Sequence, residues 1–102
     1  MTDEILKYEA EKFPVDVDFS SGLADGETIV AGSSSVTAYD GDEVQTSLIV
    51  NGSVAAGSGR LYATIQNGEK GKTYIVEFKA VSSLTNVFIH KIPLRIIDIQ
   101  EG

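Results

Sequence analysis

The stretch Gly71-Lys72-Thr73-Tyr74-Ile75-Val76-Glu77-Phe78-Lys79-Ala80 has a period of two. Tyr74, Val76, Phe78 and Ala80 fall on one face, and Ile75, Glu77 and Lys79 on the other. Successive side chains of a strand point to opposite sides of its sheet, so this spacing predicts a strand with one dry and one wet face. A tyrosine at a strand start, just after a glycine turn and one strand before the C-terminal one, matches the tyrosine corner of immunoglobulin-like sandwiches. There the phenol hydroxyl bonds backbone a few residues upstream. The plainer reading of Tyr74 is a β-former beginning a strand. On the corner reading, Gly71 and Tyr74 are structural residues.

The same period recurs on both sides of this stretch. Val15, Val17 and Phe19 alternate with Asp16 and Asp18, and Pro14 stands where a strand begins without losing a ladder hydrogen bond. Ser20–Gly26 reads as a loop. A second strand is expected over Glu27–Ala31 from the β-branched Thr28, Ile29 and Val30. The serines Ser33–Ser35 bulge or break it, and Val36–Tyr39 resumes the extended pattern. Asp40-Gly41-Asp42-Glu43 is a turn. Val44–Val50 alternates again, with Val44, Thr46, Leu48 and Val50 on one side. Asn51-Gly52 then gives the strongest hairpin signal, because a type I′ turn needs positive φ at both central residues. Ser53–Ala56 would be its short partner at a sheet edge.

Gly57-Ser58-Gly59 turns the chain into Arg60–Gln66, where Leu61, Ala63 and Ile65 share a face, and Asn67-Gly68 ends that strand. After a turn near Ser82–Thr85, Asn86–Ile99 supplies the last strand, bulged or at a sheet edge where Pro93 interrupts it. Thr2–Lys12 fits a helical turn or a loose leading strand. Some seven short strands, with turn signals roughly every 8–12 residues, describe a sandwich or a barrel. The corner at Tyr74 favours the sandwich. The expected fold is all-β: an immunoglobulin-like antiparallel β-sandwich forming one domain over 1–102, with 1–12 as an N-terminal arm.

Composition narrows the function. A chain of 102 residues has room for one core and no second module. Its net charge of −7 is uneven: residues 1–27 hold eight acids and two bases, a net −6, and the rest carry −1. An acidic chain without a basic stripe repels phosphate backbones and anionic lipid surfaces, so neither nucleic acid nor membrane is an expected partner. The acids read either as a solvated surface or as a region that steers a basic protein. With no cysteine, thiolate metal sites are excluded, and a reducing origin or a partner-stabilised assembly is favoured over a secreted disulfide scaffold. Met1–Lys12 carries four acids and does not read as a signal peptide.

Few residues offer chemistry. Asp16 and Asp18 share a strand face, and Asp25, Asp40, Asp42 and Glu43 lie in turns, but calcium needs six to eight converging oxygens and the EF-hand spacing is absent. His90 is the only histidine, beside Lys91, and Ala56-Gly57-Ser58-Gly59-Arg60 lacks the strand–turn–helix setting of a nucleophile elbow. No dinucleotide or phosphate loop is present. The chain is therefore not expected to be an enzyme, to hold a cofactor or metal, or to bind a small-molecule substrate. Tyr39 and Tyr62 are candidates to stack on sugars or partner side chains, or to pack on their own sheets.

The stretch from Val15 to Ile29 ends in Leu23-Ala24-Asp25-Gly26-Glu27-Thr28-Ile29. An acidic alternating strand, an aromatic, serine, then this run resembles the signature of small tailed-phage structural proteins, the phage fiber–tail adaptor proteins. Gly71–Val76 and the closing Leu94-Arg95-Ile96-Ile97-Asp98 are similar to that family's second half, so the likeness spans nearly the whole chain from about Tyr8. It departs in having no tryptophan and in its generic middle, Ser33–Gly59. The resemblance implies a phage or prophage origin and a non-catalytic structural role. It implies a virion component made in the bacterial cytoplasm, whose partners are tail or fiber proteins, including further copies of itself. The rival reading is a freestanding adhesive or carbohydrate-binding immunoglobulin-like module, which would need exposed aromatics and secretion.

Overall fold

The computed structural model describes residues 4–57 and 59–97. Eight strands form among them: β1 (Ile5–Tyr8), β2 (Phe13–Asp18), β3 (Ser35–Asp40), β4 (Glu43–Val44), β5 (Val50–Gly57), β6 (Arg60–Ile65), β7 (Thr73–Val81) and β8 (Val87–Ile97). One helical turn, α1 (Thr46–Ile49), separates β4 from β5. The strands make two sheets, ordered β1-β8-β7-β3-β4 and β2-β6-β5. The alternation in β7 is realised in full. Tyr74, Val76, Phe78 and Ala80 are buried against Val36 and Ala38 of β3, Leu61, Ala63 and Ile65 of β6, and Ile92, Leu94 and Ile96 of β8. Burying one face of each sheet against the other is what holds two such layers together.

This is an all-β sandwich with immunoglobulin strand order. Numbered from that architecture, β8-β7-β3-β4 is the sheet of the variable type, and β2-β6-β5 is its opposite sheet without the strand that flanks the first of these three. Among the described residues nothing pairs with the outer side of β2. The chain's opening strand goes instead to the other sheet, where β1 lies parallel to β8 from Ile5↔Leu94 to Tyr8↔Ile97. That parallel pair is a correction to an all-antiparallel sandwich; every other pairing is antiparallel. It also settles the ambiguous leading segment as a strand over Ile5–Tyr8.

Three expected elements differ. Val44–Val50 is not a strand. Its chain coils after β4 because the Gln45 carbonyl accepts the N–H groups of Leu48 and Ile49, both at 3.1 Å. Thr46 Oγ1 accepts the Ala38 N–H at 3.2 Å. The turn rolls Ile49 fully into the core and leaves Leu48 39% exposed, the reverse of the alternating pattern. Asn51-Gly52 is not a hairpin turn; it lies inside β5, which shifts register on β6 between Asn51 and Ala55. The turn into β6 comes at Gly59, at φ +76°. Glu27–Ala31 makes only a bridge, Ile29↔Ser82, before a 3-10 turn at Ala31–Ser33. Ser34 holds that turn beside β7, its hydroxyl donating to the Val30 carbonyl (2.7 Å) and accepting the Val81 N–H (2.9 Å).

Pro14 lies one residue inside β2, opposite Thr64, which an edge strand tolerates. Pro93 is the last residue of β8 before β1 joins it, so the edge reading holds at that position. The readings that touched Thr2, Ser58, Asp98 and Ile99 fall outside the described residues.

Candidate docking surfaces

The run Leu23–Ile29 folds as a loop fastened at both ends. Gly26 takes φ +81°, which lets the Glu27 N–H return to the Ala24 carbonyl at 3.0 Å. One carboxylate oxygen of Glu27 accepts the Ala24 N–H (2.8 Å), and the other accepts the Ser82 hydroxyl and the Asn86 amide (2.9 Å). Glu27 is buried, 8% exposed, and its carboxylate is met by donors at both oxygens. The Ser82 hydroxyl above all, then the Ala24 N–H and the Asn86 amide, hold its pKa below the ordinary glutamate value. Thr28 adds a two-way link to Ser83: Ser83 N–H to Thr28 carbonyl at 2.8 Å, and Thr28 N–H to Ser83 Oγ at 3.1 Å. Ile29 is buried, Leu23 packs on the core, and Asp25 is exposed. The loop is thus tied to the β7–β8 turn at one end of the sandwich.

Gly71 and Tyr74 lie near the opposite end of β7. Gly71 has φ +86°, and its N–H donates to the Ile96 carbonyl at 3.0 Å. Tyr74 is buried, and its hydroxyl accepts the N–H of Glu69, five residues upstream, at 3.0 Å. Nearby sits a residue that the sequence reading passed over. Lys7, on β1, is wholly buried, and its ammonium donates to the carbonyls of Tyr8 (2.8 Å), Glu9 (3.1 Å) and Asn67 (2.6 Å). Burial lowers its pKa, and Glu11 and Glu9 oppose that shift. The only hint in the sequence is a lysine between Leu6 and Tyr8 on a short strand, which period alone assigns to either face.

The acidic strand face is paired across the sheet. Arg60 on β6 forms an ion pair with Asp16 and reaches Asp18 at 3.5 Å. Asp18 also accepts the Ser20 N–H at 2.8 Å. Among the described residues no three acidic or histidine side chains gather as a metal site. Tyr62 is 36% exposed on the outer face of the three-stranded sheet, and Tyr39 is half-buried on the outer face of the other. They face opposite ways and do not form one aromatic platform. Tyr39 instead borders a shallow hollow with Ile75, Lys91 and Pro93. The larger cleft, about 720 Å³, opens between the free edge of β2 and the Val87–Ile92 half of β8, and His90 lines it.

The sequence profile of the podophage GP4 fiber-tail adaptor protein gp77 family matches residues 7–95. The chain belongs to that family. The match runs from Lys7 on β1 to Arg95 near the end of β8, so it takes in both sheets, the Glu27 loop and the turn before Tyr74. The adaptor family is a structural one, and its fold in this member is the two-layer sandwich described above. No curated protein matches the sequence. Among the described residues no helix of this adaptor-family member is long and apolar enough to cross a membrane.

Proposed function

We propose that the chain is a non-catalytic structural part of a phage or prophage tail that joins fiber and tail proteins. It is made in the bacterial cytoplasm and built into the virion as a single sandwich domain. The observation that carries this reading is the fiber-tail adaptor match over residues 7–95. The architecture supports it, since one face of each sheet is buried in the inter-sheet core and edges and end loops are left for docking. On this reading Leu23–Ile29 scaffolds an end loop, with Glu27 as its anchor, and Gly71 and Tyr74 secure the turn before β7.

Among the described residues Tyr39 and Tyr62 lie on opposite faces, which does not favour the carbohydrate-binding alternative. The test is deletion of the gene from an inducible phage or prophage, followed by protein analysis of purified tails. Tails should contain the chain in the parent and lose their fibers in the deletion. Tails that keep a full set of fibers without it would refute the proposal.

A further inference from the structure

β1 has few apolar ties to the sandwich. It lies parallel to β8 over four residues, Ile5↔Leu94 to Tyr8↔Ile97, whereas β7 pairs with β8 over nine. Leu6 is 50% and Tyr8 37% exposed, so Ile5 is the apolar side chain of β1 that packs on the core. The wholly buried side chain of the strand is that of Lys7. An ammonium gives up its hydration on burial, and hydrogen bonds to carbonyls offset that loss only while they are made. Two of its carbonyls, of Tyr8 and Glu9, belong to β1 and the turn that follows it. The third, of Asn67 at 2.6 Å, is 60 residues away in the β6–β7 turn. That bond, with a second from the Lys70 N–H to the Glu9 carboxylate at 3.1 Å, ties the start of the chain to that turn. The seat itself is held by other elements. The Asn67 side-chain amide donates to the Leu48 carbonyl at 3.0 Å, and the Tyr74 hydroxyl accepts the Glu69 N–H at 3.0 Å. Gly68, at φ +95°, sits so close to β8 that a Cβ there would come within 2.5 Å of Ile96.

We infer that β1 is a strap that opens as a unit while β2–β8 stay folded, with the Lys7 ammonium as the catch that shuts it. Opening gives up the packing of Ile5 and a short edge ladder, and it returns the ammonium to water. It therefore costs less free energy than unfolding the sandwich. Because α1, β7 and β8 hold the seat, the strap recloses onto a site already formed. Shut, it covers the edge of β8 at Leu94–Ile97, and a strand of four residues is a blunt edge for any further strand to join. Open, it bares that edge. The device stands independently of the adaptor reading and goes beyond it.

Hydrogen exchange of the full chain in sub-denaturing urea tests this directly. The protected amides of Leu6–Tyr8 should exchange at least about tenfold faster than those of Tyr74–Ala80, and with a weaker dependence on urea, because their opening exposes less surface. Two substitutions separate the strap from the body. Val36 is buried on β3, level with Phe78 and His90 and so beyond the stretch of β8 that β1 covers. Val36→Ala should speed the Tyr74–Ala80 amides about tenfold and leave the Leu6–Tyr8 amides unchanged, since the core loses as much with the strap open as with it shut. Lys7→Met should speed both sets at least about tenfold, because it weakens the shut state alone. If Val36→Ala speeds the Leu6–Tyr8 amides as much as the others, β1 opens only when the whole chain unfolds, and the strap is overturned. If Lys7→Met leaves the Leu6–Tyr8 amides as in the parent, Lys7 is not the catch. A Lys7→Met chain that fails to fold overturns both, since a released strap leaves β2–β8 folded.

Discussion

Glu27 shows how a surface-looking acid becomes internal. Its two oxygens close a turn and reach a second loop, so losing the charge weakens three bonds at once. Its pKa is depressed in the folded state, so its contribution is present above the ordinary glutamate value of 4.5 and fades as pH falls through the lower folded value. Glu27→Gln should therefore melt earlier than the parent at pH 7, with the gap closing below that range in thermal scans at stepped pH. Lys7 is the complementary case, a cation seated on carbonyls. Lys7→Met keeps much of the side-chain volume but strands those carbonyls, and should cost about 2 kcal/mol or more in urea titrations.

Neither role was legible in the sequence, since both are set by loops that approach from 55 or more residues away. The turn chemistry was half legible. Asn67-Gly68 adopts positive φ at both residues, +53° and +95°, as such a pair favours. The identical pair Asn51-Gly52 lies in a strand, because β6 offers a partner ladder at Asn51↔Thr64. A dipeptide states a preference, and the neighbouring strand decides whether it is used.

At the scale of elements, period-two spacing found β2, β3, β6, β7 and β8 because each has one face in the core and one toward solvent. It failed over Val44–Val50, where Val44, Thr46, Leu48 and Val50 alternate as a strand would. The Gln45 carbonyl and the Thr46 hydroxyl, both as acceptors of backbone N–H groups, coil that segment and exchange Leu48 for Ile49 at the core. The two residues separate the readings. Ile49→Ala should destabilise by about 3 kcal/mol, and Leu48→Ala by less than about 1 kcal/mol, in equilibrium unfolding. The hydroxyl of Tyr74 gives a milder test of the turn before β7: Tyr74→Phe removes one partly buried bond to Glu69 and should cost about 1 kcal/mol.

For the whole molecule, repeated short strands gave a sandwich or a barrel, the corner at Tyr74 favoured the two layers, and the parallel first strand followed from neither. Its four residues, Ile5–Tyr8, carry too little pattern to show whether they pair, or with what. The candidate surface was likewise half visible. Unprotected edges could be expected of a sandwich, but which part of β8 is covered among the described residues depends on the register of β1, which sets Ile5 beside Leu94. Charge also acts at this scale. With net −7 concentrated near the N-terminus, association with a basic tail protein should slow as salt rises from 50 to 300 mM, which shortens the Debye length about 2.4-fold, measured as an on-rate with a smaller change in off-rate.

The parallel alignment of the first and last strands has a mechanical consequence. Parallel neighbours have their leading and trailing ends at opposite extremes of the shared ladder. A pull that enters through Ile5 and leaves through Ile97 loads the rungs between β1 and β8 together, in shear, instead of unzipping them singly. On the adaptor role proposed above, a link under tension from a fiber would gain resistance from this arrangement without any added bond.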